Sequence, residues 1–212
     1  MLVAELIRNW REDEKDDRAP YFWSDRQLLR WLNEAYRQYA IKGQHLLDSS
    51  APFTTYNLEA GVDRLPLDKR VLQVLQASTP HTDRLELLGA GALPILGRQV
   101  LGHPCKLEVN SDANEIRLYP APAMDTVLQL LVVRLPLKPL DLAGELCDVA
   151  LEDIDLLHHY LNFKAYAVQD AETINPQKSA DGEARFLAGC AEVYQRNLAR
   201  RRVNTGRIRY RD

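Results

Sequence analysis

Cysteine is scarce, with three in 212 residues, at Cys105, Cys147 and Cys190, and no CxxC pair among them. An odd number of widely spaced thiols is neither a disulfide framework nor a zinc-knuckle pattern. They read as small buried thiols in a reducing compartment. Long apolar runs are missing as well. No stretch of about 18 apolar residues occurs, so no membrane-spanning helix is expected. The start, Met1-Leu2-Val3-Ala4-Glu5, turns charged too early for a signal peptide. An excess of positive charge is also absent: 27 Lys and Arg stand against 30 Asp and Glu, for a formal net charge of −3. Bulk electrostatics therefore do not argue for nucleic-acid binding. No Gly-Lys-Ser/Thr occurs, and Gly89-Ala90-Gly91 lacks the third glycine of a dinucleotide fingerprint, so it reads as a loop.

What is present is the composition of a globular protein, 46% hydrophobic and 27% charged, in one domain or one domain with an insertion. Val3, Leu6, Ile7 and Trp10 recur at helical spacing over roughly 2–17. Glu12, Asp13, Glu14, Asp16 and Asp17 crowd the end of that helix and oppose its dipole. The spacing therefore predicts a frayed end, closed by Ala19-Pro20, with the acids as a solvated face. A second helix opens at Ser24, with Gln27 completing a capping box. It buries Leu28, Leu32, Ala35, Tyr36 and Tyr39 with Trp31 beside them, and Gly43 is its expected stop.

From about residue 49 the helical period disappears. Strand-like runs are expected at 53–58, 70–77, 106–109, 115–119 and 126–134. Asn110-Ser111-Asp112-Ala113-Asn114 reads as a hairpin loop. The run 126–134 is apolar on both faces, so it is expected in the middle of a sheet. Helical period returns at Ile154, Leu157, His158, Leu161, Ala165 and Val168. Asn175-Pro176 then starts a last helix as N-cap and first helical residue, carrying Phe186, Cys190, Val193 and Asn197. The expected fold is α+β. Its N-terminal helices (1–48) and C-terminal helices (148–202) pack as a helical bundle around a central antiparallel β insertion (49–147), and a basic extended tail (203–212) follows.

Candidate chemistry is sparse. His158 and His159 are adjacent, with Asp153 and Asp155 near, but neighbours on a helix point about 100° apart and cannot share one ion from one face. Cys105 lies near His103 across Pro104, with no helix N-terminus to lower the thiol pKa. No catalytic residue, metal site or cofactor is assigned. The sharp feature is the C-terminus. Seven arginines, Arg196, Arg200, Arg201, Arg202, Arg207, Arg209 and Arg211, are opposed only by Asp212, with Tyr210 among them and no lysine. Guanidinium groups favour bidentate carboxylate or phosphate partners. Three readings of this tail are weighed: docking on a partner protein or a neighbouring copy, a nucleic-acid-binding module, and a solvated, disordered terminus.

Three segments together resemble the head–tail adaptor (connector, or head completion) proteins of tailed bacteriophages. They are Trp23-Ser24-Asp25 followed by Leu28-Leu29 and Trp31-Leu32-Asn33-Glu34-Ala35; Leu118-Tyr119-Pro120-Ala121-Pro122 followed by 126–134 and Leu135-Pro136; and Ala165-Tyr166, Asp170, Glu172-Thr173, Lys178 and Phe186. The resemblance implies a non-enzymatic structural subunit of the virion neck, made in the host cytoplasm. It would form a ring, usually of twelve copies, beneath the portal protein. The ring would extend the channel through which genomic DNA passes and present a platform to a tail or nozzle protein. Arg200, Arg201, Arg202, Arg207, Arg209, Tyr210 and Arg211 would dock on the portal or on a neighbour.

Overall fold

The computed structural model describes residues 1–93, 100–168 and 173–203. In chain order its elements are α1 (Val3–Glu14), α2 (Asp25–Gly43), β1 (Leu47–Asp48), β2 (Thr55–Leu58), β3 (Arg64–Pro66), β4 (Val71–Ser78), β5 (Glu86–Gly89), β6 (Leu101–Gly102), β7 (Lys106–Asn110), β8 (Glu115–Tyr119), β9 (Ala121–Pro122), β10 (Thr126–Arg134), α3 (Ile154–Tyr166) and α4 (Pro176–Val203). The chain is α+β and divides into two compact units. One comprises Met1–His45 with Pro136–Asp212, and the other Leu46–Leu135.

In the helical unit, all four helices feed one apolar core. α1 contributes Val3, Leu6, Ile7 and Trp10, the i, i+3, i+4, i+7 stripe of an amphipathic helix. α2 adds Leu28, Trp31, Leu32, Ala35, Tyr36 and Tyr39, α3 adds Leu157, Tyr160, Leu161 and Ala165, and α4 adds Phe186, Cys190 and Val193. Each such side chain, taken fully out of water, contributes roughly 1.5–3 kcal/mol. α3 and α4 approach closely at two glycines. A Cβ on Gly182 would stand 2.7 Å from the His159 carbonyl oxygen and 2.8 Å from the Phe163 nitrogen, and one on Gly189 would stand 2.1 Å from Leu156 Cδ2. Asn175 caps α4 through its Oδ1, which accepts the Lys178 N–H at 3.0 Å.

Several helix ends differ from expectation. α1 stops at Glu14, because Lys15 adopts a left-handed conformation (φ 59°) and its N–H turns back to Arg11 and Glu12. The expected helix to residue 17 is therefore cut short by a defined cap. Ser24 caps α2 as the sequence indicates, accepting the Gln27 N–H at 3.3 Å. Gly43 is not the stop. It is the last helical residue, and Gln44 (φ 46°) makes the left-handed turn. Gly43 instead leaves room for α4, since a Cβ there would lie 2.9 Å from Val193 Cγ1.

In the strand unit, β10 is the central strand. It pairs antiparallel with β4 on one side, and on the other with β2 along its first half and β1 along its second. A second sheet runs β3-β8-β7-β5, and β6 pairs with β9. One core, including Leu58, Val74, Leu85, Leu107, Ile116, Leu118, Leu128 and Leu130, draws on both larger sheets. The β7–β8 hairpin closes where the sequence places it, with Asn114 at φ 50° and Asn110 Oδ1 accepting the Ala113 N–H. The expectation of a wholly antiparallel β unit is corrected: β5 pairs with β7, and β6 with β9, in parallel. The stretch 90–105 between β5 and β7 is long enough for the chain to return and run in the same direction, which a tight hairpin cannot do. The run expected as a strand from 53 begins as a 3-10 turn over Pro52–Thr54 before β2.

Candidate functional site

The arginine-rich end of α4 does two different jobs. Arg196 faces the 3-10 turn Leu151–Asp153, pairing through Nη1 with Glu152 Oε1 at 3.0 Å and through Nη2 with Asp153 Oδ2. Asp153 is 5% exposed and also accepts the Tyr39 hydroxyl at 2.7 Å. Burial, and then the Asp153 carboxylate, push the Tyr39 hydroxyl well above its ordinary pKa. The same carboxylate holds Arg196 above its own. At the next residue Asn197 Nδ2 donates to the Gly43 carbonyl at 2.9 Å, and about one turn further on Arg201 Nη2 donates to the Gln44 carbonyl. These carbonyls lie at the end of α2, where helical partners run out and a cation suits the dipole. Asn197 and Arg201 thus fasten α4 to the end of α2, and Arg196 fastens it to the turn before α3. Arg200 is exposed, with no ion pair or hydrogen bond among the described residues.

Of the residues the sequence singled out for docking, then, Arg200 is free at the surface and Arg201 is engaged within its own unit. The side chain of Arg202, and Arg207, Arg209, Tyr210 and Arg211, lie outside the described residues. The acidic run is not merely a solvated face. Asp16 is 2% exposed and pairs with the buried Arg11, and its Oδ1 accepts the Phe22 N–H at 2.7 Å. Arg11 also donates to the Trp23 carbonyl at 2.6 Å and to Asp25 at 2.8 Å, fixing the loop before α2. Glu14 accepts from Lys178 Nζ and the Tyr166 hydroxyl, tying α1 to α3 and α4.

The histidine pair separates as helix geometry requires. His158 lies 4.0 Å from Asp13 of α1, whereas His159 senses Arg185 and Asp181 of α4. Burial lowers the pKa of both imidazoles. His103 lies tilted against His81 with ring centroids 4.3 Å apart, and Cys105 Sγ lies 3.6 Å from the Tyr119 carbonyl oxygen. The expectation of three buried thiols is corrected: Cys190 is buried in the helical core, but Cys105 and Cys147 are exposed, as each lies outside an apolar stripe. Among the described residues, no group of three or more His, Cys, Asp or Glu is arranged to hold a metal ion. None of the described helices is long and apolar enough to cross a membrane.

One surface escaped the sequence reading. Arg26, Arg30 and Arg37 are all exposed on α2, so strong positive charge is not confined to the tail. Their i, i+4, i+11 spacing was visible in the sequence but was masked by the near-neutral average.

No curated protein matches the chain. A family model described as SU10 adaptor protein matches residues 1–211, which takes in all four helices, the strand unit and the arginine tail, and it bears out the resemblance drawn from the three segments. The chain belongs to the SU10 adaptor protein family, a family of phage adaptor proteins.

Proposed function

We propose that this adaptor assembles as a ring, of about twelve copies, beneath the portal of a tailed phage, extends the DNA channel and carries the tail. The observation that carries this reading is the family match over residues 1–211, whose end at Arg211 includes the whole basic tail. In this reading the helical units pack side by side around the ring as its repeating body. The strand unit, 46–135, faces outward or toward the tail or nozzle protein. Cyclic assemblies use heterologous interfaces, in which one patch meets a different patch on the next copy. Arg200 and the tail arginines Arg202, Arg207, Arg209 and Arg211, with Tyr210, reach the portal or a neighbouring subunit. Arg196 and Arg201 are held back for the fold. The role needs no catalytic residue and no cofactor, and it places the protein in the virion neck.

The test is portal capture by a chain ending at Val203, compared with the full chain. Ending there keeps Arg196, Asn197 and Arg201 in their contacts and removes only 204–212. Weakened capture with an unchanged melting curve supports tail docking. Undiminished capture refutes docking by 204–212, leaving Arg200 to its own substitution, without touching the ring reading, which negative-stain images of the portal with full-length subunit decide separately.

A further inference from the structure

We propose that the exposed face of α2 binds the phosphate backbone of duplex DNA, independently of sequence, through Arg26, Arg30 and Arg37. At 100° per residue the three fall within about 40° of one line along the helix, with Arg30 about 6 Å and Arg37 about 16 Å from Arg26 along the axis. All three are exposed, and none makes an ion pair or hydrogen bond among the described residues. α2 carries two acids, Asp25 and Glu34, and both are committed elsewhere. Asp25 pairs with Arg11 at 2.8 Å, and Glu34 with Lys164 at 3.0 Å. Glu34 also attracts Arg30, so its own helix offsets the positive charge of the stripe in part and leaves it in excess.

Two neighbours add to it. Ser24, Arg26, Gln27 and Arg30 line a hollow of about 480 Å³ at the start of α2, where the helix dipole contributes further positive potential. Midway along the stripe, Asn33 Nδ2 donates to the Leu140 carbonyl at 3.0 Å and the Leu140 N–H returns to Asn33 Oδ1 at 2.7 Å. This brings the 137–140 segment across α2, with Lys138 exposed on it.

The composition of the face selects the partner. The exposed residues of α2 itself, Asp25, Arg26, Arg30, Glu34, Arg37 and Lys42, include no apolar side chain, and the segment laid across it adds exposed Leu137 and Pro139 beside Lys138. The core of a protein–protein interface is depleted in charge and anchored by aromatic or aliphatic groups. Isolated guanidinium groups with nothing apolar between them suit phosphate oxygens. Contacts from guanidinium groups to phosphate oxygens position DNA without specifying sequence. The proposal rests on the channel reading above for the choice of DNA as the polyanion.

The test measures fluorescence anisotropy of a short duplex with the full chain, its R26Q/R30Q/R37Q variant and, for comparison, R207Q/R209Q/R211Q. Three phosphate contacts give a slope of log affinity against log salt near −2.7, or about 40-fold weakening between about 50 and 200 mM salt. The wild-type slope is expected to exceed that of R26Q/R30Q/R37Q by this amount, with portal capture and melting temperature unchanged. Absence of binding by the wild type at low salt, or equal slopes for wild type and R26Q/R30Q/R37Q, would overturn the proposal. So would loss of portal capture by that variant with DNA binding intact, because the face would then dock protein. Portal capture failing in every protein, wild type included, would count against the ring reading alone.

Discussion

Arg196→Ala removes the guanidinium that faces Asp153 and leaves a carboxylate whose side chain is 6% exposed with the Tyr39 hydroxyl as its remaining side-chain donor. Removing one partner of a buried ion pair costs about 3–5 kcal/mol. Arg196 is itself 33% exposed, so water can follow into the space it vacates. The expected loss is therefore smaller, about 2 kcal/mol. Arg200→Ala, four residues on and exposed, should stay within about 0.5 kcal/mol of wild type. The two variants remove the same charge from the same helix and differ in what the side chain touches. Urea unfolding followed by far-UV circular dichroism reads both midpoints. The reverse pattern should hold for portal capture, where Arg200→Ala weakens binding and Arg196→Ala, below its unfolding midpoint, does not. Equal stability losses, or no loss for Arg196→Ala, would refute the division of the arginines into fastening and docking members.

Gly182→Ala should destabilise the helical unit by about 1 kcal/mol or more, because the new methyl meets backbone atoms of α3 and overpacking outweighs the gain in helix propensity. Gly189→Ala meets the rotatable end of Leu156 and should cost less, and melting temperatures compare them. In the strand unit, burial opposes ionisation of Asp48, but the N–H of Ser50, the Arg134 guanidinium and the N–H of Ala51 outweigh it and hold the carboxyl at about 2, below its ordinary 3.8. A depressed carboxyl stabilises above its unfolded pKa and loses that contribution as pH falls through the folded one. Asp48→Asn should therefore remove about 2 kcal/mol of acid sensitivity between about pH 4 and 2, read from unfolding midpoints across that range. Burial holds His158 below its ordinary 6.5 despite Asp13 and Asp155. Its contribution is present above that value and declines as pH falls through the depressed one, so His158→Gln should flatten the stability profile below about pH 6.5.

How much of this was legible follows from which interactions are local. Ser24 and Asn175 announce helix starts because a cap is a contact over three residues. β8 and β10 were readable because alternation and apolar density belong to the strand itself. β5, β6 and β9 are too short for any period, and their parallel partners are set by chain return, which no local pattern encodes. Charge was the least legible property. Glu14 and Asp16 look like neighbours of Glu12 and Asp13, yet a helix cap and the turn after it send them inward to Lys178 and Arg11. Arg196, Arg200 and Arg201 look alike in the sequence, and only the position of α2 and of the turn at Asp153 distinguishes them. The α2 stripe was within reach, since projecting Arg26, Arg30 and Arg37 onto a helix needs only the spacing.

Native mass spectrometry of the full chain, alone and mixed with its cognate portal ring, tests the central claim most directly. The account predicts a portal complex that gains a closed ring of subunits, about twelve, in one cooperative step, with few intermediate stoichiometries. A portal that gains no subunit under any salt condition, or gains scattered single copies without closure, would contradict it.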